Sequence, residues 1–560
     1  MKILIFLSLF LSFYLISCSD HCVLKSKELP LGVVDPQTYD YVEYLEDGIR
    51  VISYRDSSDY EYYVQTLDSD GLRGEPVCYS CSLKKNIEGS SITHTGGSTF
   101  FISFLVHNYD NDGNTGVAGQ LLTAKADGGI DLIGDVVALS NQWENCSKSW
   151  NKASWCETTK YLTVSFTSND LGSVGVQMVN LGRYYTTPTL EGGTFTIKNE
   201  DGYYDYTKYA GISCDGVNGK LFVSTENRVS GKQSTNILGQ LFDISDYDGE
   251  FPQIGEDFVI FNGSSSTKDS EPSSLYVEDQ IYVTVFHSDF DEALDIYVQA
   301  VDCSNDFRTP SLFGDLFKVN LNEKADTYHY DSVAHLGGST FAIAFSDDWD
   351  DGKSDMGLQT TYYKSYYRIY QVNEAKDNLE VLTEPTKINS ESVDRDFPNV
   401  CLIGSNRIDY FDYSEESGSI KIHEYQVYWR IENPTVNQIE EFTVDGETDF
   451  DLDLSGAFTT SQGGTFSYEL TLEDGSDLPD WFKYDDDNYH LSGTPPNEGI
   501  KYTILIIATE DLGSECSQLS PTNQQTFTFA VTEIKSYGSN DSVLMKVSSL
   551  LMFLVLFITF

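Results

Sequence analysis

The sequence predicts an all-β protein, because aromatic residues make up 13% of its 560 residues and stretches with helical periodicity are scarce. A repeat strengthens this prediction: an apolar, strand-like run, a polar loop and a second strand with a central glutamine occur seven times. The glutamines are Gln65, Gln120, Gln177, Gln240, Gln299, Gln359 and Gln426, separated by 55, 57, 63, 59, 60 and 67 residues. A period of this length, built from short strands, is typical of a repeat fold.

Each repeat contains four strand-like segments. In the second repeat they are Ser91–Gly97, Thr99–Phe104, the strand around Gln120 and Asp135–Leu139. Four antiparallel strands per repeat are typical of a propeller blade, so we predict a seven-bladed β-propeller over residues 23–430, followed by a β-sandwich. A parallel β-helix is the alternative, but its repeats are usually shorter. Segments such as Thr99–Phe104 are apolar on both sides, as expected of strands buried between neighbouring blades.

The ends of the repeat array predict how it closes. The last repeat has no clear fourth strand after Val427, whereas Val23–Val34 precedes the first repeat. We therefore expect Val23–Val34 to supply the missing outer strand. A catalytic glutamine would occur once and not in every repeat, so we interpret the glutamines as structural amides that hydrogen-bond to the backbone.

Both termini of the chain indicate export to the cell surface. Residues 1–19 combine a basic start, an apolar stretch and small residues, which is typical of a signal peptide. The hydrophobic tail at 535–560 follows small and polar residues and has no basic residue after it. This pattern predicts a glycolipid (GPI) anchor signal, with a membrane helix as the alternative, on the extracellular face of the plasma membrane.

The charge of the chain excludes one class of partner. The formal net charge is −52 and the sequence pI is about 4.2. Nucleic-acid binding is excluded, because phosphate contacts require clustered Lys and Arg. Such acidity is typical either of a solvated surface or of sites for hard cations.

The cysteines and sequons fit an exported protein. Cys146 and Cys156 bracket a loop rich in Trp and Asn and are predicted to form a local disulfide. Cys78 and Cys81 resemble a redox or metal hairpin. A short-range disulfide, or pairings with Cys22, are favoured because no second Cys-x-x-Cys accompanies them. Asn145 and Asn262 start glycosylation sequons.

Two acidic loops between strands are candidate calcium sites. Alternating carboxylates on a glycine-containing loop offer the oxygen ligands that Ca²⁺ prefers. The candidates are Asp110 and Asp112 in the second repeat, and Asp348, Asp350 and Asp355 in the sixth. Asp-Gly is also an ordinary turn, and neither loop has the complete EF-hand pattern.

A second domain follows a linker at 431–437. Within 438–534 occur Leu478-Pro-Asp-Trp-Phe, Leu491-Ser-Gly-Thr-Pro, the strand Gly499–Gly513 and Phe527-Thr-Phe-Ala-Val. In this order the motifs resemble the dystroglycan-type cadherin-like domain, over residues 432–534. The resemblance implies an immunoglobulin-like sandwich with a buried Trp481, and calcium-associated adhesion in which Glu510 and Asp511 take the place of the strand-end acidic pair.

We expect a membrane-tethered adhesion or recognition protein that is not an enzyme and that binds an extracellular protein or glycan. Two alternatives remain open. A propeller glycosidase would need paired carboxylates, often with Arg or Tyr, at the central channel. The sialidase Asp-box is absent, because Ser168-Asn-Asp-Leu-Gly172 lacks its closing Trp. A purely structural coat protein is the other alternative.

Overall fold

The computed structural model describes twenty-three segments of the chain. They are residues 22–29, 36–44, 49–56, 61–68, 71–81, 87–107, 115–140, 151–168, 173–181, 188–197, 204–229, 235–247, 250–262, 269–288, 295–320, 332–347, 364–387, 399–403, 407–416, 419–428, 433–460, 464–512 and 521–535. Within these residues the chain forms strands and turns and no helix, so the all-β prediction is confirmed. The chain divides into two compact units, the first ending at Trp429 and the second beginning at Arg430.

The first unit consists of antiparallel sheets in which each strand pairs with the next along the chain. The first strand, β1 (Cys22–Leu29), belongs to the last sheet. The first three meanders are β2–β5 (Pro36–Tyr44, Arg50–Asp56, Tyr62–Asp68, Gly71–Cys78), β6–β9 (Ile87–Gly96, Thr99–Val106, Gly116–Ala124, Ile130–Ala138) and β10–β13 (Lys152–Cys156, Tyr161–Ser168, Ser173–Asn180, Thr189–Ile197).

Three more meanders follow, and the last of them has its outer strand broken in two. They are β14–β17 (Tyr204–Asp215, Lys220–Val229, Thr235–Asp243, Phe258–Asn262), β18–β21 (Asp269–Tyr276, Ile281–Ser288, Asp295–Asp302, Ser311–Lys318) and β22–β26 (Ser332–Gly337, Thr340–Asp347, Lys364–Val372, Leu379–Val381, Thr386–Lys387). Both β25 and β26 pair with β24, one after the other along its length.

The seventh sheet joins the two ends of the unit. Its strands β27 (Asn399–Ile403), β28 (Arg407–Glu416) and β29 (Ser419–Tyr428) form a meander. Strand β1 adds to this meander antiparallel to β29, with Cys22 opposite Tyr428. The prediction that the segment before the first repeat supplies the missing outer strand is therefore confirmed.

The first strands of the sheets contact one another in a closed cycle. Strand β2 lies against β6, β6 against β10, β10 against β14, β14 against β18, β18 against β22, β22 against β27, and β27 against β2. The sheets therefore surround an axis lined by their first strands. This arrangement confirms the β-propeller and not the parallel β-helix.

Burial follows position within each sheet. Every side chain of β7 and β19 is buried, as is nearly every one of β8, β12, β16 and β20. In the fourth strands β9 and β21, every side chain except that of Ile130 is exposed or half-buried. Second and third strands are covered on both faces by neighbouring sheets, which explains why their sequences do not alternate between polar and apolar residues.

Four of the glutamines hold a β-bulge between the third and fourth strands. The ladder shifts register at Gln65, Gln120, Gln177 and Gln299. Their amide nitrogens donate to backbone carbonyls of the fourth strand, to Gly74 at 2.7 Å, Ile133 at 2.9 Å, Glu191 at 3.2 Å and Phe313 at 3.0 Å. Each bulge contains a glycine with positive φ: Gly74 (70°), Gly134 (67°), Gly192 (65°) and Gly314 (69°). These contacts support the structural interpretation of the glutamines.

The sixth repeat departs from this pattern, and Gln359 was aligned wrongly. Ile343 of β23 pairs with Arg368 of β24, in the register in which Ile102 pairs with Gln120 in the second sheet. Gln359 itself lies outside the described residues. Arg368 donates instead to the carbonyls of Lys318 (3.0 Å) and Val319 (3.2 Å) in the preceding sheet.

The second unit is an immunoglobulin-like sandwich. One sheet has the order β31-β38-β37-β34, a second has β32-β36-β35, and β30 pairs with β33. The strands are β30 (Thr435–Val436), β31 (Phe442–Asp445), β32 (Phe450–Asp453), β33 (Phe458–Thr459), β34 (Thr465–Leu472), β35 (Phe482–Asp485), β36 (His490–Gly493), β37 (Ile500–Asp511) and β38 (Thr522–Thr532). Phe450, Phe482 and Phe529 are at the centre of its core. Trp481 is half-buried, not fully buried as predicted, and stacks on Phe482 with ring centroids 3.8 Å apart.

The disulfide predicted between Cys146 and Cys156 is wrong. Cys156 pairs with Cys214, with the Cα atoms 5.4 Å apart and a sequence separation of 58 residues. Because β10 and β14 are adjacent first strands, residues about one repeat apart become neighbours, which local spacing does not reveal. Cys146 lies outside the described residues. The short-range pair Cys78–Cys81 is disulfide-bonded, as favoured.

Candidate functional site

Besides the glutamine positions, the sheets share another set of equivalent positions. It lies near the C-terminal ends of the second strands, and we call it the strand-end row. Each position stands three residues after the one paired with the glutamine, or with Arg368 in the sixth sheet. The members whose side chains are described are Leu105, Thr167, Glu226 and His287. The glutamine positions repeat one residue type, whereas this row changes from apolar to hydroxyl to carboxylate to imidazole. Glu226 and His287 are buried, with 4% and 0% of their surface exposed.

The first strands of the fourth and fifth sheets bulge beside this row. In the fourth sheet the register shifts at Tyr209, and in the fifth it shifts at Glu271 and Pro272. Tyr209 and Glu271 both have positive φ, 42° and 58°, which is rare for residues other than glycine. Strained backbone of this kind is concentrated at ligand and active sites.

The bulges bring together a set of side chains that we call the Tyr209 cluster: Thr167, Tyr209, Glu226, Glu271 and His287. The Tyr209 N–H donates to the Thr167 hydroxyl oxygen at 3.2 Å. His287 Nδ1 lies 3.6 Å from Glu271 Oε2. The pKa of Tyr209 is raised to about 12, mainly by burial and to a smaller extent by the nearby charges of Glu226 and Glu271. The tyrosine hydroxyl therefore stays protonated near neutral pH, with two carboxylates from different sheets beside it.

This arrangement places acids, a hydrogen-bond donor and an imidazole in a partly enclosed site. Glu271 retains 13% exposure of its side chain and Tyr209 is half-buried, so both reach towards solvent. Two carboxylates near a neutral hydroxyl are suited to proton transfer and to binding of sugar hydroxyls or cations. Tight packing of the fourth and fifth sheets holds the pair in place.

A neighbouring buried ion pair has a different character. The Asp295 carboxylate, which is fully buried, accepts from Lys318 Nζ at 2.6 Å and from Asn320 Nδ2 at 2.7 Å. Asn320 Oδ1 in turn accepts from the backbone N–H of Ile296 at 3.0 Å. Both carboxylate oxygens are thus used internally, and we assign this group to the scaffold.

Most of the predicted calcium ligands cannot be placed. Asp110, Asp112, Asp348, Asp350 and Asp355 lie outside the described residues. The strands that flank these loops end at the same end of the sheets as the Tyr209 cluster. The flanking strand ends are Val106, Gly116, Asp347 and Lys364. Calcium at these loops stays a prediction.

The structure places Glu510 and Asp511 at the end of β37. Glu510 is fully buried, and its Oε1 accepts from the Thr460 hydroxyl at 2.6 Å and from the Gly464 N–H at 3.0 Å. Asp511 is exposed. These contacts give Glu510 a role in fixing the chain around 460–464, and a calcium role for this pair stays a prediction.

The remaining predicted sites concern modification and membrane attachment. Asn262 is exposed at the end of β17, where a glycan can be attached without disturbing the core. Asn145 and the tail at 536–560 lie outside the described residues. Within the described part of the chain, no helix has the length and apolarity needed for a membrane crossing.

Sequence analysis missed Glu226, Glu271, Tyr209 and His287. One signal was available: Lys220-Leu-Phe-Val-Ser-Thr-Glu226 ends in a carboxylate where the second repeat has an apolar residue. Their convergence depends on the bulges and on contacts between sheets, neither of which follows from spacing.

Comparison with known proteins supports the architecture of the second unit. A sequence profile for the family described as "Putative Ig domain" matches residues 433–532. No curated protein matches the chain significantly in sequence.

Three solved structures illustrate the similarity of fold. A protein of unknown function from Dyadobacter fermentans is 10% identical, with a TM-score of 0.41, over 73% of this chain and 99% of its own. An α-L-arabinofuranosidase from Fusarium graminearum is 9% identical, with a TM-score of 0.36, over 72% and 97%. The polysaccharide lyase Uly1 is 8% identical, with a TM-score of 0.43, over 73% and 98%. At this distance the likeness concerns the fold alone. The chain thus carries an Ig-like domain in its second unit, after a β-propeller unit.

Proposed function

We propose that this chain is an extracellular propeller protein that cleaves glycosidic bonds, with Glu226 and Glu271 as its acid–base pair. The observation that carries the proposal is the placement of two carboxylates beside the bulged strands of neighbouring sheets. Glu226 pairs with Lys208 next to the bulge at Tyr209, and Glu271 lies in the bulge of the fifth sheet, 3.6 Å from His287 Nδ1. Glycoside hydrolysis needs two carboxyl groups flanking the scissile bond, one to protonate the leaving oxygen and one to act on the opposite side.

Each member of the Tyr209 cluster has a role in this proposal. One glutamate donates a proton to the glycosidic oxygen, and the other acts as base or nucleophile. The Tyr209 hydroxyl, which like any tyrosine is protonated near neutral pH, donates a hydrogen bond to a sugar oxygen. His287, close to Glu271, positions that carboxylate. Burial of Glu226 excludes water and strengthens these electrostatic interactions.

The surrounding architecture supports an extracellular setting. We interpret the seven sheets of the first unit as seven blades, closed by the β1–β29 pairing. The disulfides within the described residues, Cys78–Cys81 and Cys156–Cys214, are typical of an oxidising compartment. A signal peptide at the N-terminus and a GPI signal or membrane helix at the C-terminus complete the proposed location at the cell surface.

A second candidate function is adhesion or recognition without catalysis. The Ig-like domain at 433–532 favours it, because such sandwiches commonly serve as binding modules. In this form of the proposal the domain is dystroglycan-type and cadherin-like, the acidic loops bind calcium, and the propeller binds an extracellular protein or glycan.

A paired assay separates the two functions. The full chain is incubated with a panel of aryl glycosides and polysaccharides, with release of reducing ends as the readout, and is also applied to a glycan array. For the glycosidase we expect Glu226→Gln and Glu271→Gln each to lower hydrolysis at least about 100-fold while the melting temperature is retained. Glu380→Gln, at an exposed position in β25, serves as the matched control.

The outcomes are distinct. Glycan binding with no hydrolysis by the wild-type chain rejects the glycosidase and supports recognition. Hydrolysis that both glutamine variants retain rejects the assignment of Glu226 and Glu271.

A further inference from the structure

The turn after β5 brings two sulfurs and a carboxylate together. Cys78 ends β5, Cys81 follows three residues later, and Glu61 immediately precedes β4. One donor atom from each lies within 4.8 Å of the other two. The sequence contains the Cys-x-x-Cys pair, but the fold adds the glutamate, which is 17 residues away from Cys78 in the chain.

The backbone of this turn is fixed without help from the disulfide. Tyr79, 1% exposed, packs against Phe104 with ring centroids 5.4 Å apart, and its hydroxyl lies 2.8 Å from Ser53 Oγ. Ser80, fully buried, accepts the Tyr62 N–H at 2.8 Å and donates to Glu61 Oε2. Opening the sulfur–sulfur bond therefore leaves Cys78, Cys81 and Glu61 held near one another.

The disulfide itself does little for stability and is accessible. Loop-closure entropy grows with loop length, so a bond between residues only three apart constrains the unfolded chain least. Cys81 is exposed, and its N–H donates to Cys78 Sγ at 3.0 Å, a contact that favours a negatively charged sulfur after cleavage. By contrast, Cys156 is fully buried and Cys214 nearly so, in a bond that joins two sheets.

We propose that Cys78, Cys81 and Glu61 form a redox-gated binding site for a borderline or soft divalent cation such as Zn²⁺. A dithiol reduces the disulfide: its two sulfurs form a new disulfide, and its two hydrogens pass to Cys78 and Cys81. Both thiols then lose their protons to solvent as the cation binds to two thiolates and one carboxylate. Two sulfurs, one oxygen and a water complete the four-coordinate shell that Zn²⁺ favours.

The first experiment tests selective reduction. The full chain is treated with limiting tris(carboxyethyl)phosphine, in which the phosphine is oxidised to its oxide and water supplies the oxygen and both protons. Alkylation and peptide mass spectrometry then report which thiols have opened. We expect Cys78 and Cys81 to be labelled before Cys156 and Cys214, with the circular dichroism spectrum unchanged. Labelling in the opposite order, or loss of the β-sheet spectrum, overturns the proposal.

The second experiment tests cation binding. The reduced chain, freed of phosphine, is titrated with Cd²⁺, and the thiolate-to-metal absorption is recorded. We expect a band that the oxidised chain lacks and that Cys78→Ser/Cys81→Ser removes. Glu61→Gln keeps the disulfide and should weaken Cd²⁺ binding about tenfold, whereas Glu75→Gln, at an exposed position in the same sheet, should not. An unchanged band in the double serine variant, or equal affinity in Glu61→Gln, rejects the site.

Discussion

Two rows of equivalent positions run round the ring of sheets, and they behave in opposite ways. In the glutamine row, Gln65, Gln120, Gln177 and Gln299 repeat one solution to one problem: a bulge whose carbonyls need a donor. The strand-end row changes from Leu105 to Thr167 to Glu226 to His287. The repeated row therefore supports the scaffold, whereas the changing row is where a single, asymmetric site can form.

Substitution of a bulge glycine tests the repeated row most severely. At Gly74, φ is +70° and an added Cβ would lie 2.2 Å from the carbonyl oxygen of Gly128 in the next sheet. We expect Gly74→Ala to lower the free energy of unfolding by about 3 kcal/mol or more, because backbone strain and overpacking act together. Urea unfolding measures this loss.

Gly97→Ala is the matched control for this substitution. Its φ of +58° is similar, but nothing lies within 4 Å of the added Cβ. We expect a loss of only about 1 kcal/mol, from backbone strain alone. Equal losses at both glycines would show that the contact between sheets contributes nothing.

Arg368 tests the exception within the repeated row. Arg368 is 9% exposed, and its guanidinium donates to the backbone carbonyls of Lys318 and Val319. Arg368→Met should cost about 2–3 kcal/mol, because it leaves buried acceptors unsatisfied. Arg368→Gln should lose nearly as much stability as Arg368→Met, because glutamine at the equivalent positions hydrogen-bonds within its own sheet. The exposed Arg308→Met is the control, and full recovery by glutamine would contradict the assignment.

Gln120 tests an ordinary member of the repeated row. Its amide donates to Ile133 O at 2.9 Å, Leu121 O at 3.0 Å and Gly134 O at 3.3 Å. We expect Gln120→Leu to lower the free energy of unfolding by about 2 kcal/mol, with hydrolysis or glycan binding per folded molecule unchanged. A loss of activity without a loss of stability would contradict the assignment of Gln120 to the scaffold.

Tyr209 tests the site beside the strand-end row. Its substitution should have the smallest effect on folding. Tyr209→Phe removes one half-buried hydroxyl, so the change in unfolding free energy should stay below about 1 kcal/mol. Turnover or glycan affinity should fall about tenfold, since one hydrogen bond to the ligand is lost. Unaltered activity would remove Tyr209 from the site.

The scaffold was predictable to a large extent because it repeats. The recurring strands and glutamines predicted a β-propeller, and the missing fourth strand after Val427 predicted that the segment from Val23 would pair with it. The sixth repeat was misaligned because Arg368 stands where glutamine was expected, so the spacing pointed to Gln359. A sequence period detects equivalent positions that carry the same residue, and it misses an equivalent position whose residue makes different contacts.

The sequence by itself determined the all-β class, the Ig-like second unit and the structural role of the glutamines, since these follow from local patterns and their repetition. Only the tertiary structure decided that Cys156 pairs with Cys214, that Glu61 lies beside Cys78 and Cys81, and that Glu226 and Glu271 meet at Tyr209. The physical reason is pairing and packing between strands that are distant in the chain. Pairing of β4 with β5 within one sheet places Glu61 beside Cys78, whereas packing of neighbouring sheets joins Cys156 to Cys214. Bulges in β14 and β18 place Tyr209 and Glu271 near Glu226.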